Sequence, residues 1–164
     1  MIALTPSTPA DAGFIVAAES DPIASPLVNH WTQERHIQAM ADPDCAHFIV
    51  TARETEERLG FAMLFGVASP DKCIELRRVV INRRESGIGR ATLRAVKDHA
   101  FGPLGAHRLW LDVKSHNARA RHLYQSEGFV EEGMLRECVR ADTGYESLVL
   151  MAMLRNEYEA FRAP

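Results

Sequence analysis

The sequence has few cysteines, no zinc pattern and no long hydrophobic run, and each absence excludes a class of protein. Its three cysteines, Cys45, Cys73 and Cys138, lack the spacing of a metal site or a redox pair, and an odd, scattered set is typical of reduced thiols. The seven histidines form no zinc-binding pattern either, so no metal is expected. The longest apolar run, residues 61–68, is too short to span a bilayer.

The charge balance argues against nucleic acid and membranes as partners. The formal net charge is −3, whereas proteins that bind nucleic acid or anionic lipid normally carry a basic excess. The first residues have neither the basic region nor the apolar core of a secretory signal, so a cytoplasmic location is expected. With 164 residues, 46% of them apolar, the chain is predicted to form a single domain, residues 1–164.

Hydrophobic periodicity predicts alternating strands and helices. Strands are predicted at 2–5, 47–53, 59–68, 74–81, 107–113, 129–140 and 145–154, and helices at 9–19, 31–40, from 89 to a turn at 102–105, and 117–127. A polar tail is expected after residue 154. The strand, helix, strand unit that begins at residue 74 predicts a parallel pair of strands.

The rest of the chain is predicted to be organised around a glycine-containing loop between the strand at 74–81 and the next helix. Gly87 and Gly89 lie where the chain turns, and without a Cβ they let a ligand approach main-chain N–H groups. The helix that begins there points its unpaired N–H groups and positive dipole end into the loop, which suits phosphate. The spacing of the residues in this loop matches neither the P-loop motif nor the dinucleotide-binding motif. The pattern that fits is Arg84-x-x-Gly87-x-Gly89, although two glycines also occur in chance turns.

A second pattern begins at Asn117. Asn117 and Tyr124 are seven residues apart, so on a helix they share a face and lie roughly 10 Å apart along its axis. Such a face can follow one elongated ligand, and Gly128 and Phe129 come directly after the helix. The alternatives are a plain N-cap for Asn117 and a core tyrosine with a backbone partner for Tyr124.

Together, and in this order, the two patterns resemble those of the GNAT superfamily of acetyl-coenzyme A dependent N-acetyltransferases. The resemblance covers about residues 74–129, and the C-terminal half is similar to the branch of ribosomal-protein and spermidine acetyltransferases. It implies an α/β (α+β) fold, a single GNAT-like domain in which a mixed, mostly antiparallel sheet of six to seven strands is flanked by about four helices. Glu85 departs from the family's loop pattern, and its carboxylate is expected to face solvent.

The resemblance also implies a cofactor, acetyl-coenzyme A, and a set of site residues. In the family, the tyrosine at the position of Tyr124 lies by the thioester sulfur, which makes Tyr124 the candidate acid for the departing thiolate. Glu75 is the candidate base, because strict alternation places it on the same side of its strand as Val79 and Ile81. An ion pair between Glu75 and Arg77 or a neighbouring strand is the open alternative. The expected cofactor contacts are Val79, Ile81, Arg84, Ser86, Gly87, Ile88, Gly89, Arg90, Asn117 and Tyr124.

The expected function is direct transfer of an acetyl group to a primary amine, either a protein or peptide N-terminus or a small cationic amine such as a polyamine. The alternatives are a non-catalytic sensor that binds acyl-coenzyme A and a phosphate-binding regulatory domain. A cationic acceptor is favoured by acidic and aromatic residues of the N-terminal helical region, although those beside Pro43 also suit a solvated turn. These acidic and aromatic residues are Asp21, His30, Trp31, Glu34, Asp42 and Asp44. A homodimer is a further expectation.

Overall fold

The computed structural model describes residues 1–22, 24–83 and 87–163. These residues form seven β-strands and five α-helices, with short 3₁₀ helices at Pro9–Asp11 and Ser25–Leu27. The strands are β1 (Ile2–Pro6), β2 (Cys45–Ala52), β3 (Arg58–Phe65), β4 (Cys73–Ile81), β5 (Arg108–Lys114), β6 (Val130–Arg140) and β7 (Tyr145–Leu154). The helices are α1 (Ala12–Glu19), α2 (Gln33–Ala41), α3 (Ile88–Phe101), α4 (Ala118–Ser126) and α5 (Arg155–Arg162).

The strands form one mixed sheet in the order β1-β2-β3-β4-β5-β7-β6. Only β4 and β5 run parallel, and the other neighbours are antiparallel. One face packs on α1 and α2 through a core that includes Ile15, Ala39 and Phe61. The other face packs on α3, α4 and α5 through a larger core that includes Leu93 and Tyr158. The mixed, mostly antiparallel sheet expected from the sequence is confirmed.

A β-bulge in β4 changes which side chains share a face. Leu64 of β3 pairs with Leu76, but Met63, its neighbour, pairs with Arg78. Arg77 is therefore the extra residue, and the alternation of side chains shifts by one position there. Beyond the bulge, Val79 and Ile81 face the core beneath α3.

Glu75, on the near side of the bulge, pairs with Phe65, which packs on the opposite core. The expectation that Glu75 shares a side with Val79 and Ile81 is therefore wrong. Strict alternation holds only in a strand without a bulge, and this bulge reverses it between residues 75 and 79.

The predicted polar tail is instead a helix, α5. The backbone N–H of Leu154 donates to Glu157 Oε2 at 2.8 Å, which caps its first turn. Tyr158 is buried and its ring stacks on Phe101 with centroids 4.5 Å apart. This buried aromatic contact with a residue distant in the sequence stabilises a segment whose own composition is polar. Among the described helices, none has the length and apolar character needed to cross a membrane.

A buried polar chain joins α1 and α2 to the sheet beside the bulge. Glu19 is fully buried and forms an ion pair with Arg78, and its other oxygen accepts from the Trp31 backbone N–H at 2.9 Å. His36 Nε2 lies 3.2 Å from Glu19 Oε1, and His36 Nδ1 lies 3.2 Å from His47 Nε2. Burial lowers the pKa of His47 to about 4, so its imidazole is neutral at physiological pH. This chain of buried polar contacts holds Arg78, the residue that follows the bulge, against α1.

Candidate active site

The parallel strands β4 and β5 separate soon after they meet. Their pairing covers only Cys73–Glu75 with Arg108–Trp110, although β4 continues to Ile81 and β5 to Lys114. Over that remaining length β4 stays paired with β3, and β5 stays paired with β7. The edge of β4 that faces β5 therefore presents backbone groups that pair with neither strand, and these groups are available to a ligand.

The helix α3 begins at the end of this opening. Gly87 is its N-cap with a φ of 98°, a left-handed conformation that favours glycine. Gly89 lies inside the first turn, where an added Cβ would meet only Leu123 Cδ2 at an ordinary 3.8 Å. Packing among the described residues therefore does not require glycine at position 89. Arg84, Glu85 and Ser86, which the sequence analysis assigned to the loop, lie outside the described residues.

The helix α4 carries the second pattern. Asn117 is its N-cap and accepts from the Ala120 N–H at 3.2 Å, so capping accounts for its amide oxygen. Tyr124 is half-buried and packs edge-on to Phe129, with ring centroids 5.8 Å apart. Burial raises the pKa of Tyr124 to about 12, and the negative charge of Asp112 adds to the shift. The hydroxyl therefore stays protonated at any working pH.

Two carboxylates and one arginine lie on the other face of the sheet, near the point where the strands separate. Glu75 is buried and its Oε2 lies 2.8 Å from Arg77 Nη2, so the predicted alternative of an ion pair with Arg77 is present. Burial nevertheless raises the pKa of the Glu75 carboxyl, Arg77 opposes that shift, and Asp112 reinforces it.

Asp112 is the residue that sequence reasoning missed. It lies on β5 on the same face as Trp110, between core residues Leu111 and Val113 that face the other way. Although much of the residue is exposed, desolvation of its carboxylate raises its pKa, and Arg77 opposes the shift. No ion pair joins it to another part of the described chain. The signal in the sequence was a lone acid that interrupts the apolar residues between Leu109 and Val113.

The other predicted cofactor contacts fall into two groups. Val79, Ile81 and Ile88 are partly buried hydrophobic residues on the α3 side of the sheet, next to the opening. Arg90, in the first turn of α3, has its Nη1 atom 2.5 Å from Glu127 Oε1. It is 39% exposed, so a paired arginine still reaches the surface beside the glycines. Within the described parts of the chain, no cluster of His, Cys, Asp or Glu could hold a metal ion.

The predicted acidic lining of the acceptor side is only partly present. Asp42 Oδ1 accepts from the Asp44 N–H, and Asp44 Oδ1 accepts from the Ala68 N–H, both at 2.8 Å. These two acids therefore hold a turn, the alternative that the sequence left open. The Trp31 ring is covered by the guanidinium groups of Arg35 and Arg78, at 4.0 and 5.0 Å from its centroid.

Comparison with known proteins relates the whole arrangement to one family. The profile of the Acetyltransferase (GNAT) family matches residues 14–129. Spermidine N(1)-acetyltransferase of Vibrio cholerae is 35% identical over 72 residues, which are 44% of this chain and 42% of that enzyme. The chain thus aligns with less than half the length of that relative.

A second relative and a solved structure match over longer stretches. The [ribosomal protein bS18]-alanine N-acetyltransferase of Salmonella typhimurium is 32% identical over 119 residues, 72% of this chain and 70% of that enzyme. The crystal structure of spermidine N-acetyltransferase from Vibrio cholerae in complex with CoA and spermine superposes with a TM-score of 0.86 at 22% identity, covering 96% of this chain and 98% of the other. At that identity the superposition shows a shared fold.

Replacing Gly89 with valine tests the loop. An added Cβ makes only an ordinary contact with Leu123 among the described residues, so the melting temperature should stay close to that of the wild type. The affinity for acetyl-coenzyme A should fall by at least about tenfold, because the pyrophosphate can no longer approach the backbone. Calorimetric titration measures the affinity.

Gly13→Val is the matched control. Gly13 is also the second residue of its helix, α1, on the opposite face of the sheet, and its nearest neighbour, Gln33 Nε2, lies 3.9 Å from an added Cβ. Gly13→Val should bind the cofactor like the wild type. Equal affinities in the two variants would refute the assignment of the loop.

Proposed function

Because the chain belongs to the Acetyltransferase (GNAT) family, we propose that it transfers an acetyl group from acetyl-coenzyme A directly to a primary amine. The match over residues 14–129 confirms the family, the N-acetyltransferase class and the acetyl-coenzyme A cofactor expected from the sequence. The acceptor and the roles of individual residues are proposals, and so is the assignment of residues 1–164 to one catalytic domain.

The single observation that carries the proposal is the opening between β4 and β5. A thioester placed there is reached from both faces of the sheet, with Tyr124 on the side of α3 and α4 and the carboxylates Glu75 and Asp112 on the side of α1 and α2. An amine can then attack from one face while the sulfur departs towards the other. Free N–H groups of β4 can stabilise the negative charge that develops on the thioester oxygen.

We assign the phosphates to the loop at Gly87 and Gly89. The positive end of the α3 dipole and the partly exposed Arg90 both favour negative charge there. The pantetheine arm would pass over Val79 and Ile81, which form an apolar wall beside the opening. Asn117 can contact the arm with its amide N–H groups, since its oxygen is occupied by the cap.

In the reaction, a base removes a proton from the ammonium form of the acceptor, and the neutral nitrogen attacks the thioester carbon. The new C–N bond forms, the C–S bond breaks, and the sulfur departs as a thiolate, while the nitrogen gives up its second proton to solvent and becomes a neutral amide. The Tyr124 hydroxyl, protonated because its pKa is about 12, donates a hydrogen bond to this sulfur and stabilises the charge as it forms. The thiolate can then be protonated through Tyr124, whose proton is replaced from solvent.

We propose Asp112 as the base in preference to Glu75. Glu75 is held by Arg77 at 2.8 Å, and this ion pair reduces its readiness to accept a proton. Asp112 has no such partner among the described residues, and it is close enough to influence the pKa of Tyr124. Glu75 then serves to hold Arg77, the bulged residue.

Tyr124→Phe keeps the ring and removes the hydroxyl. We expect kcat to fall by roughly 10²-fold, the scale of a positioned proton donor, with little change in the affinity for acetyl-coenzyme A. Thiol release from acetyl-coenzyme A with a panel of amines provides the rate. If the wild type binds the cofactor but acetylates no amine, the sensor alternative is correct; if Tyr124→Phe turns over like the wild type, Tyr124 only packs.

The pH dependence of kcat distinguishes the two carboxylates. A base must be deprotonated, so kcat falls as the pH drops through its pKa, which for Asp112 lies above the ordinary 3.8. Asp112→Asn should lose this acid limb and slow turnover by at least about 10²-fold, whereas Glu75→Gln should keep the limb. The reverse pattern would return the role of base to Glu75.

We propose a cationic primary amine as the acceptor, for a reason that differs from the one given by the sequence alone. Asp42 and Asp44 hold a turn and Glu146 is paired with Lys114, so the negative charge that we assign to the acceptor face is that of Asp112, which has no ion-pair partner among the described residues. Lys114 Nζ donates to the Pro26 carbonyl at 2.8 Å and lies 2.7 Å from Glu146 Oε2, which ties the α1–α2 connection to β7 at one end of this face. The relatives named for spermidine and for a ribosomal protein support the same class of acceptor.

A screen of spermidine, basic peptides, aminoglycosides and neutral amino acids at equal concentration tests the acceptor class. The cationic amines should have the highest kcat/KM, and high salt should reduce it because salt screens exposed charges. Glu159→Gln, which removes an exposed acid of α5 on the opposite face of the sheet, should leave the preference intact. Preference for a neutral or acidic amino acid, insensitive to salt, would contradict the proposal.

The homodimer expected from the sequence stays a prediction. The outer strand β6 is exposed along almost its whole length, and Val130, Met134 and Leu135 present apolar surface there. This strand is the surface that a second copy would cover.

A further inference from the structure

A buried carboxylate joins the two helices that carry the proposed cofactor contacts. Glu127 follows α4 directly and is completely buried. It accepts hydrogen bonds from three basic residues of α3: Arg90 at 2.5 Å, Arg94 at 2.9 to 3.1 Å, and Lys97 at 3.0 Å. Positions 90, 94 and 97 recur at helical spacing, so one face of α3 converges on a single side chain.

Not all of this basic face is solvated. Lys97 shares the face with Arg90 and Arg94, and yet it is 2% exposed. Its Nζ atom donates to the Glu127 carboxylate and also, at 2.8 Å, to the Glu127 carbonyl oxygen. A cation at the last carbonyls of a helix is favourable, so Lys97 caps the C-terminal end of α4.

The charge of Glu127 is fixed by these contacts. Burial alone would raise its pKa, but the hydrogen bonds from Arg94, Lys97 and Arg90 lower the pKa to about 2. The group is therefore ionised at every pH at which the enzyme would be assayed. The contact therefore does not switch with pH in that range.

The groups it holds are those at the two ends of the proposed cofactor site. Arg90 comes directly after Gly89, in the first turn of α3. Tyr124 lies three residues before Glu127, and its carbonyl oxygen accepts from the Phe129 N–H at 3.0 Å in the turn that ends α4. Glu127 is thus in contact with the helix turn that follows the phosphate loop and is within one turn of the proposed acid.

We propose that Glu127 is a positioning residue that sets the distance between the phosphate loop and Tyr124 and aims Arg90 at the cofactor. The proposal rests on the proposed function of the loop and of Tyr124. If Glu127 acted through its charge alone, the opposite result would be expected. Removing its carboxylate makes the net charge of the cluster more positive by one, which would tighten the binding of an anionic cofactor.

Glu127→Gln is the decisive variant, since it keeps the shape and removes the charge. We expect the affinity for coenzyme A to fall by about tenfold, the scale of a lost charge-assisted contact, and kcat with acetyl-coenzyme A to fall further because Tyr124 is displaced. Arg94→Gln removes part of the cluster and leaves Arg90 and Lys97 on Glu127, so it should give a smaller loss in both quantities. The double variant should bind coenzyme A no more weakly than Glu127→Gln alone.

Tyr158→Phe is the control for general loss of stability. It removes the 2.6 Å hydrogen bond from Tyr158 to Asp98, a contact of the same helix α3 with α5, and should lower the melting temperature without changing affinity or kcat. A folded Glu127→Gln variant that binds coenzyme A as tightly as the wild type, or more tightly, would overturn the proposal. If that variant does not fold, unchanged kinetics in Arg94→Gln would overturn it. A wild type that does not bind coenzyme A would refute the proposed function itself.

Discussion

The early separation of β4 from β5 is the constraint on which the rest of the site depends. Three residue pairs join the two strands, and beyond them each strand is held only by its other neighbour. The resulting opening supplies unpaired backbone groups to a ligand and connects the two faces of the sheet. The acid that we propose on α4 and the base that we propose on β5 can therefore reach the same thioester although they belong to opposite faces.

Two buried ion clusters stabilise this open arrangement from either side. On the face of α1 and α2, Glu19 holds Arg78 immediately after the bulge. On the other face, Glu127 holds the start of α3 to the end of α4. Each cluster has a single fully buried carboxylate with several donors, the arrangement in which a buried charge is compensated. We infer that the opening is a built feature of the fold, since both of its walls are fixed by charge as well as by packing.

Local sequence signals predicted most of the elements, including the helix starts that carry the proposed cofactor contacts. The glycine at the αL N-cap of α3, the Asn117 cap and the alternating strands depend on a few neighbouring residues, and the structure contains all three. The face of Glu75 could not be predicted in this way, because the bulge at Arg77 is defined by pairing with β3. The local sequence suggests that Lys97 lies at the surface, because its buried partner, Glu127, is 30 positions away in the sequence.

The acceptor side shows the same limit. Acidic residues near the N-terminus suggested a lining, but Asp42 and Asp44 are used by the backbone of a turn. Asp112, which the strand order brings beside Arg77 and Glu75, had no motif around it. Contacts between residues distant in sequence therefore decide this half of the site, whereas the glycine loop and the tyrosine helix are specified locally.

Amide hydrogen exchange with and without coenzyme A tests the central claim most directly. If the cofactor lies in the opening, amides of β4 beyond the bulge, residues 78–81, and of the first turn of α3 should become more protected, while those of the outer strand β6 should not change. Protection that omits β4 and appears elsewhere would show that the separation of the strands does not receive the cofactor, and would contradict this account.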